Sequence, residues 1–189
     1  EEIANKNISL FEKYGVKKIV TISPHAFNAL KNDYPSLGGH YEVYHISQLL
    51  EEKILSEDIK PFRTDQNLKV TYHDPCLLGR LNGVYDAPRN LLKTIPGLEL
   101  LEMPRNRNNA LCCGGGGGNF FTGILESGQL EPSRVRLREA INTGAEILAV
   151  ACPICAKMLD DAVKSEWAEN QISILDINEI AVQCLETAD

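Results

Sequence analysis

Two adjacent thiols followed by five glycines, Leu111-Cys112-Cys113-Gly114-Gly115-Gly116-Gly117-Gly118, form the stretch of this sequence best equipped for chemistry. Neighbouring cysteines rarely pair with each other, because a disulfide needs Cβ atoms about 3.8 Å apart in a fixed torsion. Consecutive side chains diverge, so two thiols in a row reach a common object only from a bent backbone. Glycines supply the bend, since without a Cβ they take positive φ and let the main chain approach a ligand. Successive N–H groups in such a run form a concave nest that favours an anion. Gly114 and Gly115 stand next to the thiols and are the candidates for that contact. Two thiolates beside backbone donors suggest a metal–sulfur site.

Three further cysteines can be tested against that idea. Cys76 follows His73-Asp74-Pro75, and Cys152 and Cys155 form a Cys-Pro-Ile-Cys motif. Each cysteine group comes just after a predicted strand: 69–72, 98–103 and 147–151. In an open parallel sheet the carboxyl ends of the strands share one edge, where ligands collect. Three separate segments then bring five thiols to one place. Cys152 opens a helix whose second residue is Pro153, and a helix N-terminus favours the thiolate. Structural zinc is closed by four ligands, whereas an iron–sulfur cluster uses several thiolates. Two alternatives stay open: a zinc-binding structural or assembly module using four of the thiols, and a cofactor-free thiol–disulfide oxidoreductase working through Cys152 and Cys155. Cys184, between Gln183 and Leu185 on the last predicted helix, reads as a buried free thiol.

The elements that must position these groups alternate. Short β-branched or apolar runs at 17–22, 41–45, 69–72, 98–103, 147–151 and 172–176 read as strands. Helical segments are predicted at 5–14, 23–32, 47–55, 89–94, 132–142, 153–166 and 178–185, with loops at 34–40 and through the glycine run. This order predicts an α/β fold with mostly parallel sheets. Residues 56–67 are polar and read as a linker. A long-range repeat is visible as well. Gly15 to Ala26 aligns with Gly144 to Cys155, and His45-Ile46-Ser47-Gln48-Leu49 with Asp176-Ile177-Asn178-Glu179-Ile180. Ser23 and Ala26 stand where the second copy has Cys152 and Cys155. The sequence therefore divides into residues 1–66, the back half of a degenerate strand-helix-strand-helix unit, and 67–189, a complete one.

Composition sets outer bounds. The 189 residues carry a net charge of −7, which argues against nucleic acid as a partner. Arg105 and Arg107 precede the double cysteine, and Arg134, Arg136 and Arg138 follow it. Alternate residues on a helix do not share a face, so the second group reads as solvated. Arg80 and Arg89 are candidates to steady an anionic group or to form structural ion pairs. Asp74 reads as a turn residue, His73 as a strand-end hydrogen-bonding residue or a proton donor, and His25 and His45 as structural. The chain opens Glu1-Glu2-Ile3, with neither an initiator Met nor a secretory leader. That opening fits a fragment, a processed product or an expressed segment. Clustered cysteines in an alternating α/β chain predict a reducing, cytoplasmic setting.

Taken together, Tyr72-His73-Asp74-Pro75-Cys76-Leu77-Leu78-Gly79-Arg80, Asp86-Ala87-Pro88-Arg89, Cys-Cys-Gly and Ala151-Cys152-Pro153 resemble the CCG cysteine-rich proteins. That family includes the B-type and D-type components of heterodisulfide reductases. The resemblance implies two such units in tandem and a four-iron cluster in each intact unit, in some members a non-cubane one. Carried over, the ligands are Cys76, Cys112, Cys113, Cys152 and Cys155; Gly114, Gly115 and Arg80 are candidates beside the cofactor by their own chemistry and place in the sequence. The resemblance also implies electron transfer, with cleavage of a disulfide in some members. The implied partners are a ferredoxin-like protein, a flavoprotein or a membrane cytochrome, together with an N-terminal part of the same subunit. The setting so implied is the cytoplasm or the inner face of a membrane complex. With Ser23 and Ala26 in place of cysteines, at most one cluster is expected, in the second unit.

Overall fold

A computed structural model describes residues 1–56, 58, 67–122 and 128–186. The predicted linker at 56–67 lies almost wholly outside these residues. Helix α1 (Glu2–Lys13) leads through Gly15, at φ 63°, into strand β1 (Lys18–Thr21). Helix α2 (Pro24–Asn28) starts as the sequence predicts: Ser23 Oγ accepts from Ala26 N, and Pro24 fills the first turn. The helix then loosens into a π-turn (Ala29–Asp33) and tightens into a 3-10 turn (Tyr34–Leu37), where a loop was expected. Pro35 has no N–H to continue the α-helical ladder. Strand β2 (Glu42–His45) pairs in parallel with β1, and α3 (Ile46–Leu55) follows at once. His45 caps α3, its side chain accepting from Ser47 N while Gln48 accepts from the His45 N–H.

The second half holds strand β3 (Leu68–Tyr72), helix α4 (Asp86–Lys93) and strand β4 (Leu98–Leu101). The chain goes on through short helix α5 (Asn119–Thr122) and helix α6 (Pro132–Ile141) to strand β5 (Ile147–Val150). Helix α7 (Pro153–Ser165), strand β6 (Ser173–Asp176) and helix α8 (Ile177–Glu186) complete it. The four strands form one parallel sheet in the order β4-β3-β5-β6. Helix α4 starts at Asp86, ahead of the expected Arg89. Pro88 is tolerated because the first helical N–H groups need no intrahelical acceptor. Helix α5 was expected to be loop.

Strand β5 explains the layering. All four of its residues are buried, and they alternate between two cores. Ile147 and Ala149 pack with Val70, Tyr72, Leu91, Leu92, Ile177 and Ile180. Leu148 and Val150 pack with Leu137, Ala140, Leu159 and Val163 on the opposite face. Phe27 and Ile54, from the first half, belong to the first of these cores, so the two halves share one apolar interior. Strand β5 has neighbours on both sides, whereas its repeat counterpart β1 pairs only with β2 among the described residues. Among those residues no helix is long and apolar enough to cross a membrane.

Candidate metal–sulfur centre

The strand order puts β4, β3 and β5 side by side, and each is followed by a cysteine group. Strand β3 runs into Cys76, β4 leads to Cys112 and Cys113, and β5 ends at Cys152. The connection from β3 turns to one side of the sheet, and the chain returns on the other as β5. Cys76 and Cys152 therefore flank the topological switch point, where open α/β sheets leave a crevice.

The five cysteines line one small pocket. The Cys113 and Cys155 sulfurs, from the double-cysteine loop and α7, lie within 4.8 Å of each other. Their crowding shifts the thiols in opposite directions. The neighbouring Cys113 and Cys76 thiols pull the Cys112 thiol down, towards the thiolate. The bond from Cys155, with backbone N–H groups at the start of α7, pulls Cys152 down to about 6. Their partners move the other way: Cys76 rises because it donates to Cys112, Cys113 rises to about 11 for the same reason, and Cys155 rises through its bonds to Cys113 and Cys152. Cys113, Cys152 and Cys155 are buried, while Cys76 and Cys112 are half-buried.

The glycine run has two separable duties. Gly114 sits at φ 84°, in the left-handed region, and its N–H donates to Cys112 Sγ at 3.3 Å. Gly115 solves a packing problem, because a Cβ there would stand 2.7 Å from Ile154 Cγ2 and 2.9 Å from Met158 Cγ. The double-cysteine loop can therefore lie against α7 only through a residue without a side chain. Asn119, on α5, closes the loop by donating to the Gly114 carbonyl at 2.9 Å.

Charged residues brace the two loops rather than line an open site. Arg80 donates to the Ala110 carbonyl and so ties the Cys76 turn to the chain just before Cys112. Asp74 is more than a turn residue. Its carboxylate takes Arg89 Nη1 at 2.7 Å, Arg89 Nη2 at 2.9 Å and the Arg107 N–H at 2.7 Å. Arg89 also donates to both oxygens of Glu102. Arg107 is held at φ 53°, so the carboxylate fixes a strained turn on the approach to the double cysteine. The structural ion-pair reading of Arg89 therefore holds.

One expectation about the arginines is corrected. Arg134 and Arg138 pair with Glu166 at the surface of α6, but Arg136 is fully buried. Its Nε donates to His73 Nδ1 at 3.1 Å, and its Nη1 to Glu139 and the Arg105 carbonyl. The i, i+2 spacing that sets Arg136 apart from Arg134 and Arg138 was visible in the sequence. The direction it faces was not. Burial, and then the Arg136 charge, hold His73 neutral by lowering it to about 3. A ring nitrogen of His73, Cys113 Sγ and Cys155 Sγ lie within 4.8 Å of one another.

Sequence reasoning also missed the opposite wall. A small pocket over the thiols is lined by Pro24 and His25 from the degenerate copy, together with Pro75, Leu77, Gly116 and Ile154. The segment that replaces Cys-Pro-Ile-Cys in the first copy thus faces the cysteines of the second. His45 is buried beside this wall, its Nε2 lying 3.3 Å from the Ile22 carbonyl. The side chain of Cys184 lies outside the described residues.

Residues 70–160, which hold all five converging cysteines, match the CCG cysteine-rich domain. This stretch belongs to the CCG cysteine-rich domain family. Curated relatives extend the likeness over the rest of the chain. A probable iron–sulfur-binding oxidoreductase, FadF, of Bacillus subtilis is 42% identical over 192 residues, covering 100% of this chain and 26% of the relative. An EtfAB:quinone oxidoreductase of Syntrophomonas wolfei is 36% identical, covering 98% of this chain and 26% of the relative. The D-type component of the dihydromethanophenazine:CoB–CoM heterodisulfide reductase of Methanosarcina barkeri is 37% identical, covering 97% and 44%. The chain thus spans between about a quarter and a half of these relatives' length.

The CCG domain's own features suit a metal–sulfur group. Five thiols share one crevice, a backbone N–H already faces a sulfur, and Gly115 makes a close approach that a Cβ would fill. Two buried donors on the hydrogen-bonded pair beside them, His73 Nε2 and Arg136 Nη2, lack a partner among the described residues.

Proposed function

We propose that this chain is the cluster-bearing part of an iron–sulfur electron-transfer subunit, with one four-iron cluster at the CCG motif. The observation that carries this reading is the gathering of five cysteines around one small pocket, beyond the carboxyl ends of three adjacent parallel strands. Cys76, Cys112, Cys113, Cys152 and Cys155 would hold the cluster, and a non-cubane form would use all five. Once bound, such a cluster supplies one-electron transfer. The chain's residues do the rest. Cys113, Cys152 and Cys155 keep the inner side dry, and Gly114 N–H steadies negative charge on Cys112. The half-buried Cys76 and Cys112, beside the wall of Pro24 and His25, give electrons a short path to a partner.

Disulfide reduction is the specific activity suggested by the relative named a heterodisulfide reductase, and the mouth beside Cys76 and Cys112 is where a disulfide would be seated. The redox partners proposed are a ferredoxin-like protein, a flavoprotein or a membrane cytochrome, with the chain in the cytoplasm or at the inner face of a membrane complex. Two rival readings meet physical objections. A dithiol oxidoreductase needs an accessible nucleophile, and Cys152 is 1% exposed. A zinc site leaves at least one of the five thiols around the pocket unused.

Anaerobic reconstitution followed by iron, acid-labile sulfide and zinc analysis tests the proposal. Iron and sulfide in equal amounts, with a visible charge-transfer spectrum, are expected. A colourless protein holding one zinc and no sulfide would refute the cluster. For the ligands, Cys113→Ala should abolish or alter the spectrum, and Cys184→Ala should leave it unchanged. Equal effects from the two would overturn the assignment.

A further inference from the structure

His73 stands between β3 and Cys76, and its ring is 1% exposed. Its Nδ1 lies 3.1 Å from Arg136 Nε. A guanidinium donates and never accepts, and it stays charged in proteins. Nδ1 therefore presents its lone pair to Arg136, and the proton of the neutral ring sits on Nε2. The arginine cannot swing away cheaply, because Glu139 and the Arg105 carbonyl hold its Nη1 at 3.0 Å and 2.6 Å. Nε2 is buried and has no partner among the described residues. A ring nitrogen of His73 is within 4.8 Å of both Cys113 Sγ and Cys155 Sγ, and Nε2 is the one not already taken.

We propose that His73 donates an Nε2–H hydrogen bond to the sulfur of the cluster site beside Cys113 and Cys155, and that Arg136 is the positioning residue that fixes its tautomer. This rests on the iron–sulfur reading above. The same geometry excludes His73 as a metal ligand, since the Nδ1 lone pair is used and Nε2 carries the proton. Reduction adds negative charge to the sulfurs, and a fixed N–H donor favours that state over the oxidised one. His73 thus sets the reduction potential rather than joining the metal.

The test uses the native protein carrying its reconstituted cluster, labelled with 15N-histidine. Pulsed electron paramagnetic resonance of the reduced cluster should show one weak nitrogen coupling and one proton that exchanges in deuterium oxide, both lost in His73→Leu. In a redox titration, His73→Leu should move the midpoint to more negative potential by about tenfold in the reduction equilibrium, or about 59 mV for one electron. His73→Gln, which retains an N–H, should recover much of the shift. Arg136→Met should weaken the exchangeable-proton signal while iron and sulfide contents stay at wild-type level. A strong nitrogen coupling in the wild type would make His73 a ligand and overturn the proposal. So would the absence of any coupling in a cluster-loaded wild type, a measurement that does not depend on the folding of a variant. A wild type that assembles no cluster would instead refute the iron–sulfur reading and this inference with it.

Discussion

Gly115→Ala separates a packing requirement from mere loop flexibility. The added Cβ would sit 2.7 Å from Ile154 Cγ2 and 2.9 Å from Met158 Cγ. Carbon atoms pack at about 3.5–4.0 Å, so roughly 0.8 Å must be absorbed. Ile154 and Met158 belong to α7, whose start carries Cys152 and Cys155, and Gly115 follows directly on Cys112-Cys113-Gly114. Relief therefore has to change the spacing between the two thiol pairs. Overpacking of this kind costs about 1–3 kcal/mol. At about 2–4 °C per kcal/mol for a chain of this size, the melting temperature should fall by roughly 2–12 °C. Gly116→Ala meets no atom within 4 Å and is the matched control; its cost should stay within about 0.5 kcal/mol. Thermal unfolding by circular dichroism and the iron and sulfide content after anaerobic reconstitution are the assays. Ile154→Ala removes the methyl group in the way, so combined with Gly115→Ala it should recover both cluster content and part of the stability. Equal melting temperatures for Gly115→Ala and Gly116→Ala, with no coupling between Gly115→Ala and Ile154→Ala, would refute the packing argument.

Other outcomes follow from the same contacts. Asp74→Ala leaves the buried Arg89 with Glu102 and the Tyr85 carbonyl as its remaining partners and frees the Arg107 turn; it should cost about 3–5 kcal/mol, measurable by denaturant unfolding. Lys157→Ala breaks an exposed i, i+4 pair with Asp161 and should change stability by less than about 0.5 kcal/mol. His45 gives the apoprotein an acid limit. Burial lowers it from 6.5 to about 4, so the unfolded chain binds its proton first. Stability from this group is complete above pH 6.5 and falls as the pH drops towards 4, by roughly 3 kcal/mol. His45→Asn keeps a capping acceptor for Ser47 N and removes the titration, so unfolding midpoints measured from pH 8 to 4 should lose part of their acid slope. An unchanged slope would exclude His45 as its source.

Much of the site could be read from the sequence because its logic is local. The strand-then-cysteine order recurs three times, and parallel strands with helical crossovers must present their carboxyl ends on one edge. That was enough to predict convergence of Cys76, the double cysteine and the Cys152–Cys155 pair. Ser23, Pro24 and the repeat alignment likewise placed α2 and its cap. What the sequence could not express was which face each residue turns. Arg136 sits on a polar helix among surface arginines, yet the rotation of α6 against β5 buries it on His73. Asp74 reads as a turn former until Arg89 and the Arg107 N–H, 15 and 33 positions away, arrive on its carboxylate.

The sequence by itself determined which thiols come together, the parallel α/β frame and the need for glycine after the double cysteine, because those depend on residue chemistry and short-range periodicity. Only the tertiary structure decided the burial of Arg136 against His73, the Asp74–Arg89 pair and the closing of the pocket by the cysteine-free copy. Each of these depends on distances between segments far apart in the chain, which are set by strand order and helix packing and leave no local trace in the sequence.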